Sequence, residues 1–183
     1  MAIAAVAATH LLDFGVYDFR YRALNANLSV SWSHALAHCA LALAALACVA
    51  GAWRARRRRA LWIASAALLA VFFLDEVSGL HVQVDALRHG KILYAPALLV
   101  LVYCVWRLTF AGARLASALA AGALLLASYA IHVLEPPSIA RVLGWRTGGW
   151  GVEAVIALKE GTELAGLLLV LLALGAAAFA GEG

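Results

Sequence analysis

Residues 32–80 read WSHALAHCALALAALACVAGAWRARRRRALWIASAALLAVFFLDEVSGL. Two apolar stretches, 32–53 and 60–80, flank a tract at 54–59 in which five of the six residues are arginine. Each stretch has the roughly 20 apolar residues that a helix needs to cross the hydrocarbon core of a bilayer. Arginine between two such spans is typical of a cytoplasmic loop under the positive-inside rule. This stretch therefore predicts two transmembrane helices joined on the cytoplasmic side.

The composition of the whole chain also indicates a membrane protein. Of its 183 residues, 66% are apolar and 13% are charged, whereas soluble domains carry about 25% charged residues. Three more apolar stretches of the required length occur at 92–110, 115–134 and 152–180. We therefore predict an all-α integral membrane bundle of five transmembrane helices, forming one domain over 1–183. Residues 1–31 mix charged and aromatic side chains, which favours an N-terminal segment lying in the membrane interface.

The arginine tract also predicts orientation. With residues 54–59 in the cytoplasm, the N-terminus and the loops at 81–91 and 135–151 face outward, and the C-terminus faces inward. Pro136-Pro137 is expected to end the fourth span. Because topology explains the net charge of +4, nucleic-acid binding is not indicated. The three cysteines form no C-x-x-C pair, so we expect them to be packing residues.

Histidines and acidic residues concentrate at one depth of the predicted bundle. At about 1.5 Å per residue, His38, Asp75, His132 and Glu163 all lie ~22–26 Å from the cytoplasmic ends of their spans. Charged groups at membrane depth cost roughly 2.5–3.5 kcal/mol each on insertion scales, so they should face the bundle interior. Glu153 lies one heptad before Glu160, nearer the water, and we expect its replacement to matter least among the carboxylates of the last span.

His34 and His38 are four positions apart. His132 and Glu135 are three apart, as are Glu160 and Glu163, so the two members of each pair share a helix face. Helical bundles build metal sites from imidazole and carboxylate groups on facing helices. We therefore predict a centre for a divalent metal ion, Zn, Fe or Mn. The first-choice ligands are His38, His132, Glu160 and Glu163, and the further candidates are Asp75, Glu76, His81, His34 and Glu135. Such a protein is either a small membrane metalloenzyme acting on a lipid-soluble substrate or a metal-holding subunit.

Other interpretations of the same cluster remain open. The polar groups can be interhelical hydrogen-bonding partners in a non-catalytic accessory subunit, whose partners are membrane lipids and other membrane subunits. They can conduct protons or ions. The histidines can ligate a b-type haem, although haem gains nothing from the nearby carboxylates. The chain contains no H-E-x-x-H and no G-x-S-x-G motif, so those enzyme classes are not indicated.

Two motifs carry a resemblance that covers roughly residues 25–175. The first runs from Asp75-Glu76 to His81, and the second is Lys159-Glu160-Gly161-Thr162-Glu163-Leu164. They resemble the D-E-x4-H-E and E-E-x-x-E-M motifs of a group of uncharacterised multi-pass bacterial membrane proteins with no assigned activity. The chain departs from the pattern at Val82, Lys159 and Leu164. The resemblance implies a multi-pass protein of the bacterial inner membrane and supports the choice of polar residues.

Overall fold

A computed structural model describes residues 1–28, 30–79, 92, 94–110, 112–146 and 149–180. Within these residues the chain forms helices and no strand, which confirms the predicted all-α class. The helices are α1 (Ala2–Tyr17), α2 (Trp32–Arg54), α3 (Arg59–Ser78), α4 (Tyr94–Leu108), α5 (Gly112–Leu134), α6 (Pro136–Val142) and α7 (Trp150–Phe179).

Four of these helices are long and apolar enough to cross a membrane. They are α2, α3, the Arg114–Leu134 part of α5, and α7. The crossing predicted at 92–110 is not confirmed, because α4 has 15 residues and rises only about 22 Å against a hydrocarbon core of about 30 Å. Helix α1, with 16 residues, is also shorter than a span.

The surface of α2 shows why these helices suit a bilayer. Large apolar side chains remain exposed along it, with Leu43 52%, Leu46 64% and Val49 51% exposed. Soluble monomers rarely leave contiguous apolar surface of this kind open to water. Hydrocarbon is the solvent that such a surface fits, so the chain is a helical protein of the membrane type.

The chain forms two compact units. Unit 1 consists of Met1–Ala37 and Leu124–Gly166, and unit 2 consists of His38–Ala123 and Leu167–Gly183. Helices α2, α5 and α7 contribute residues to both units.

In unit 2, a glycine allows a large side chain to approach the backbone of a neighbouring helix. The indole of Trp62 on α3 lies directly over Gly51 on α2, in the space that a side chain at 51 would take. Helix α3 also packs against α4. Cys48 and Cys104 are buried free thiols, consistent with the packing role expected for the three cysteines, whereas Cys39 is exposed and does not fit that expectation.

In unit 1, the proline pair begins a helix. The predicted fourth span ends at Leu134 as α5 does, but the expected loop 135–151 contains α6. Pro136 and Pro137 occupy its first turn, where a missing N–H costs nothing because that group has no intrahelical partner. Glu135 joins the two helices with a positive φ of 62°.

Candidate functional site

Helix α1 lies antiparallel to the first part of α7 within unit 1. Three contacts define this pairing: Ile3 with Gly161, His10 with Glu153, and Phe14 with Trp150. Residue numbers therefore rise along α1 as they fall along α7. The approach is close at Gly161, where an added Cβ would lie 2.9 Å from the Cα of Ile3. Glycine at 161 is thus what allows the two helices to pack at this distance.

A buried histidine joins the two helices. The Nε2 atom of His10 lies 2.9 Å from Oε2 of Glu153. The His10 side chain is fully buried, whereas that of Glu153 is 16% exposed. A buried histidine with a carboxylate partner is satisfied, because the hydrogen bond replaces the water that burial removes.

The second nitrogen of His10 determines its tautomer. Its Nδ1 atom accepts a hydrogen bond from the backbone N–H of Ala26, 3.1 Å away. An imidazole nitrogen that accepts a hydrogen bond carries no proton. The single ring proton of His10 is therefore on Nε2, and it is donated to Glu153. The residues that link α1 to α2 supply the donor, so this connection is held against α1 by the same side chain.

A second histidine, His34, lies opposite α7 at Glu160, seven residues after Glu153. The Nε2 atom of His34 lies 3.7 Å from Oε2 of Glu160. The other oxygen of this carboxylate accepts a hydrogen bond from Nζ of Lys159 at 2.8 Å. On the far side of the imidazole, Nδ1 of His34 lies 3.0 Å from Oγ of Ser31. Glu160 is thus a buried carboxylate that lies between the ammonium group of Lys159 and the imidazole of His34.

Glu163 extends this group of charges by one helical turn. Its Oε2 atom accepts a hydrogen bond from Oγ of Ser128 on α5 at 3.2 Å. Glu160 interacts electrostatically with Glu163 and with His10. The two His–carboxylate pairs and Glu163 therefore belong to one electrostatic cluster in unit 1, which we call the His–Glu cluster: His10, His34, Glu153, Lys159, Glu160 and Glu163.

Asp13 is a further buried carboxylate, one turn after His10 on α1. Its side chain is fully buried, and Oδ1 accepts the backbone N–H of Tyr21 at 3.0 Å. Its Oδ2 atom is buried and has no hydrogen-bond partner among the described residues. A carboxylate with one oxygen left unsatisfied is costly to bury, so we expect the other oxygen, which accepts the Tyr21 N–H, to be the one that matters for stability.

The replacement of Asp13 by asparagine tests this expectation. Asp13→Asn keeps an oxygen to accept the Tyr21 N–H, so we expect the free energy of unfolding to change by less than about 1 kcal/mol. Asp13→Ala should cost about 1–3 kcal/mol, because the Tyr21 N–H then lacks an acceptor. Denaturant unfolding in detergent measures both. A large loss in Asp13→Asn would contradict this expectation and show that Oδ2 of Asp13 also has a partner.

The residues predicted from the sequence to hold a metal fall into three groups. Unit 1 contains His34, His132, Glu135, Glu160 and Glu163, and unit 2 contains His38, Asp75 and Glu76. His81 lies outside the described residues. The structure brings His34 and Glu160 together, whereas Glu135 is exposed.

In unit 2 the candidates have partners of their own. The ring of His38 packs edge-on against Phe73, with 6.3 Å between centroids. Asp75 is buried and accepts a hydrogen bond from Oη of Tyr94 at 3.4 Å. Across the part of the chain that the structure describes, no three His, Cys, Asp or Glu side chains are arranged to hold a metal ion.

Sequence reasoning missed two residues, Asp13 and His10, of which His10 is the partner of Glu153. His10 and Asp13 are three residues apart within an apolar helix, a spacing that places both on one face. That spacing could have predicted a buried polar face on α1. The interpretation of residues 1–31 as one interfacial segment does not use it. Glu153, expected to matter least, is the hydrogen-bond acceptor of the most buried histidine in unit 1.

Comparison with known proteins gives one match. Residues 2–178 match the family described as a domain of unknown function, DUF8692. No curated protein and no solved structure matches the chain. The match does not bear on the D-E-x4-H motif, so that resemblance stays a prediction.

Proposed function

The chain belongs to the DUF8692 family, and we propose that it is an integral membrane protein whose His–Glu cluster binds and releases protons. One observation carries the proposal. Glu153 and Glu160 are seven residues apart on α7, and each lies opposite a histidine from a different segment, His10 or His34. Residues seven apart share a helix face, so the two pairs form a row along α7.

The balance of charge in the cluster supports proton binding. Glu153, Glu160 and Glu163 lie on α7 with one lysine, Lys159. An excess of negative charge is costly away from water, and bound protons or cations remove that cost. The cluster therefore gains stability when it takes up a proton, which is what a proton-binding centre requires.

The exposures of the side chains suggest where a proton is exchanged with water. Glu153 is 16% exposed and His10 is fully buried. Nδ1 of His10 is occupied by the Ala26 N–H, so an arriving proton goes to the carboxylate of Glu153. Glu160 and His34 are 3.7 Å apart, which is beyond direct hydrogen-bond reach, so transfer between them requires a small movement or a bridging water.

Infrared difference spectroscopy of the detergent-solubilised protein tests this proposal. On acidification to about pH 6, where exposed carboxyl groups stay ionised, we expect the C=O stretch of protonated carboxyl groups to appear. Glu160→Gln should remove part of this signal, whereas Asp18→Asn should leave it unchanged. Asp18→Asn is the matched control, because Asp18 is exposed on unit 1 and its left-handed φ of 50° is one that asparagine tolerates. A protonated-carboxyl signal unchanged in both Glu153→Gln and Glu160→Gln would overturn the proposal.

Metal binding is the second candidate. The 3.7 Å between His34 Nε2 and Glu160 Oε2 is close to the ~3.4 Å that separates two ligand atoms on a tetrahedral ion with bonds of about 2.1 Å. Elemental analysis for Zn, Fe and Mn and an absorption spectrum decide it. Stoichiometric metal that both Glu160→Gln and His34→Ala abolish would favour the metal centre over proton exchange, and a Soret band would indicate haem.

The proposal includes a location. The chain lies in the bacterial inner membrane with its N-terminus outside and its C-terminus in the cytoplasm. The arginine tract supports this orientation because arginine-rich loops are retained on the cytoplasmic side. Protons would then exchange with the His–Glu cluster from the outer side.

A further inference from the structure

The arginine-rich end of unit 2 gathers the ends of several helices. Nη1 of Arg54 donates to the carbonyl oxygen of Ala178 at 3.3 Å, at the C-terminal end of α7. Nη1 of Arg58 donates to the carbonyl oxygen of Arg107 at 3.0 Å, near the end of α4. These bonds satisfy terminal carbonyls that lack intrahelical donors. Six exposed arginines lie at this end, and we call them the arginine cluster: Arg54, Arg56, Arg57, Arg58, Arg59 and Arg107.

No described carboxylate of unit 2 lies at this end. Its described acidic residues are Asp75 and Glu76, at the opposite end of α3. The 16 residues from Arg59 to Asp75 rise about 24 Å along the helix. That distance exceeds the ~8 Å over which charges are screened at physiological ionic strength. In the sequence, one further carboxylate, Glu182, follows α7, and the six arginines of the cluster outnumber it. The net charge of this end is therefore positive.

Exposed aromatic rings adjoin the same cluster. Trp53 is 88% exposed, Phe110 is 60% exposed and Phe179 is 71% exposed. The guanidinium of Arg54 lies 5.0 Å from the centre of the Phe179 ring. Aromatic rings of this kind concentrate at the boundary between the headgroups and hydrocarbon of a bilayer. Two independent features, charge and aromatic exposure, thus meet at one end of unit 2.

We propose that the arginine cluster binds the headgroup phosphates of anionic phospholipids. Guanidinium groups bind phosphate oxygens in pairs of parallel hydrogen bonds, and the neighbouring rings fit the acyl chains just below. A nucleic acid or a soluble phosphate would match the charge and leave the apolar rings in water. The proposal is independent of proton binding by the His–Glu cluster.

The test is lipid titration of the detergent-solubilised protein, with short-chain phosphatidylglycerol compared with phosphatidylcholine. The wild type should bind phosphatidylglycerol more tightly. The triple variant Arg56→Gln, Arg57→Gln, Arg59→Gln should lose roughly 100-fold in affinity, since each basic residue near an anionic surface contributes about fivefold. Arg54 and Arg58 are left intact because they bond to the helix ends. Replacement of the same three residues by lysine keeps the charge but loses the paired hydrogen bonds, so it should lose less affinity than the glutamine variant does.

The matched control neutralises three exposed arginines of unit 1, Arg20, Arg22 and Arg141, and should keep the wild-type preference. Equal affinity for the two lipids, or an equal loss in the control, would overturn the proposal. So would displacement of phosphatidylglycerol by millimolar inorganic phosphate, or tighter binding of a single-stranded oligonucleotide. Retention of the preference in the triple glutamine variant would also contradict it.

Discussion

His10→Ala is expected to lower the free energy of unfolding by about 3 kcal/mol. The substitution removes a fully buried ring and both of its hydrogen bonds. It leaves the backbone N–H of Ala26 without an acceptor and Glu153 without its donor, and an unsatisfied buried group costs about 1–3 kcal/mol. A single interhelical hydrogen bond in a membrane averages only about 0.6 kcal/mol. The large effect therefore comes from burial and from the second bond.

The matched control is His34→Ala, which we expect to cost less. His34 is 19% exposed, and its Nε2 atom is 3.7 Å from Glu160. Unfolding of each variant in detergent by denaturant measures both losses. A double-mutant cycle of His10→Ala with Glu153→Ala should give a coupling energy above about 1 kcal/mol. Equal losses for the two histidines, or no coupling, would show that the 2.9 Å bond between His10 and Glu153 contributes little.

Gly161→Ala should have the second largest effect, a loss of about 1–3 kcal/mol. A Cβ at 161 would lie 2.9 Å from Cα and 3.2 Å from the carbonyl oxygen of Ile3. Backbone atoms cannot rotate away as a side chain can, so α1 must shift as a whole. That shift also lengthens the bond between His10 and Glu153, two turns further along the same pair of helices.

Gly175→Ala on the same helix is the control for Gly161→Ala. A Cβ at 175 meets nothing within 4 Å, and alanine is favoured over glycine in a helix by about 1 kcal/mol. We expect the thermal unfolding temperature of Gly175→Ala to be unchanged or raised, and that of Gly161→Ala to fall. If both variants are stabilised, α1 does not pack against Gly161 as described.

The sequence predicted best those features that depend on the residues of one helix alone. Apolar length predicted α2, α3, α5 and α7 as spans, and helical spacing selected Glu160 and Glu163 as inward-facing groups. The same reasoning is not confirmed for the crossing at 92–110, because the described helix there, Tyr94–Leu108, is shorter than the apolar stretch. Apolar length is set by composition, whereas helix length depends also on where the backbone turns.

The pairing of side chains could not be predicted in the same way. His10 has its partners at Ala26 and Glu153, one in a connection without regular structure and one on the last helix. Periodicity reports which face of a helix is apolar, and it carries no information about which distant helix covers that face. Asp13 was missed for a different reason: its partner is the backbone N–H of Tyr21, and a backbone donor leaves no pattern in the sequence.

The bond between His10 and Glu153 joins residues 143 positions apart, and this separation governs when unit 1 can assemble in the cell. A ribosome adds about 5–20 residues per second, so Glu153 emerges roughly 7–29 s after His10. Throughout that interval, His10 on α1 is without the helix that supplies its partner, Glu153. We therefore expect α1 to stay undocked from α7 until α7 has been made, and substitutions that delay the insertion of α7 should prolong that period.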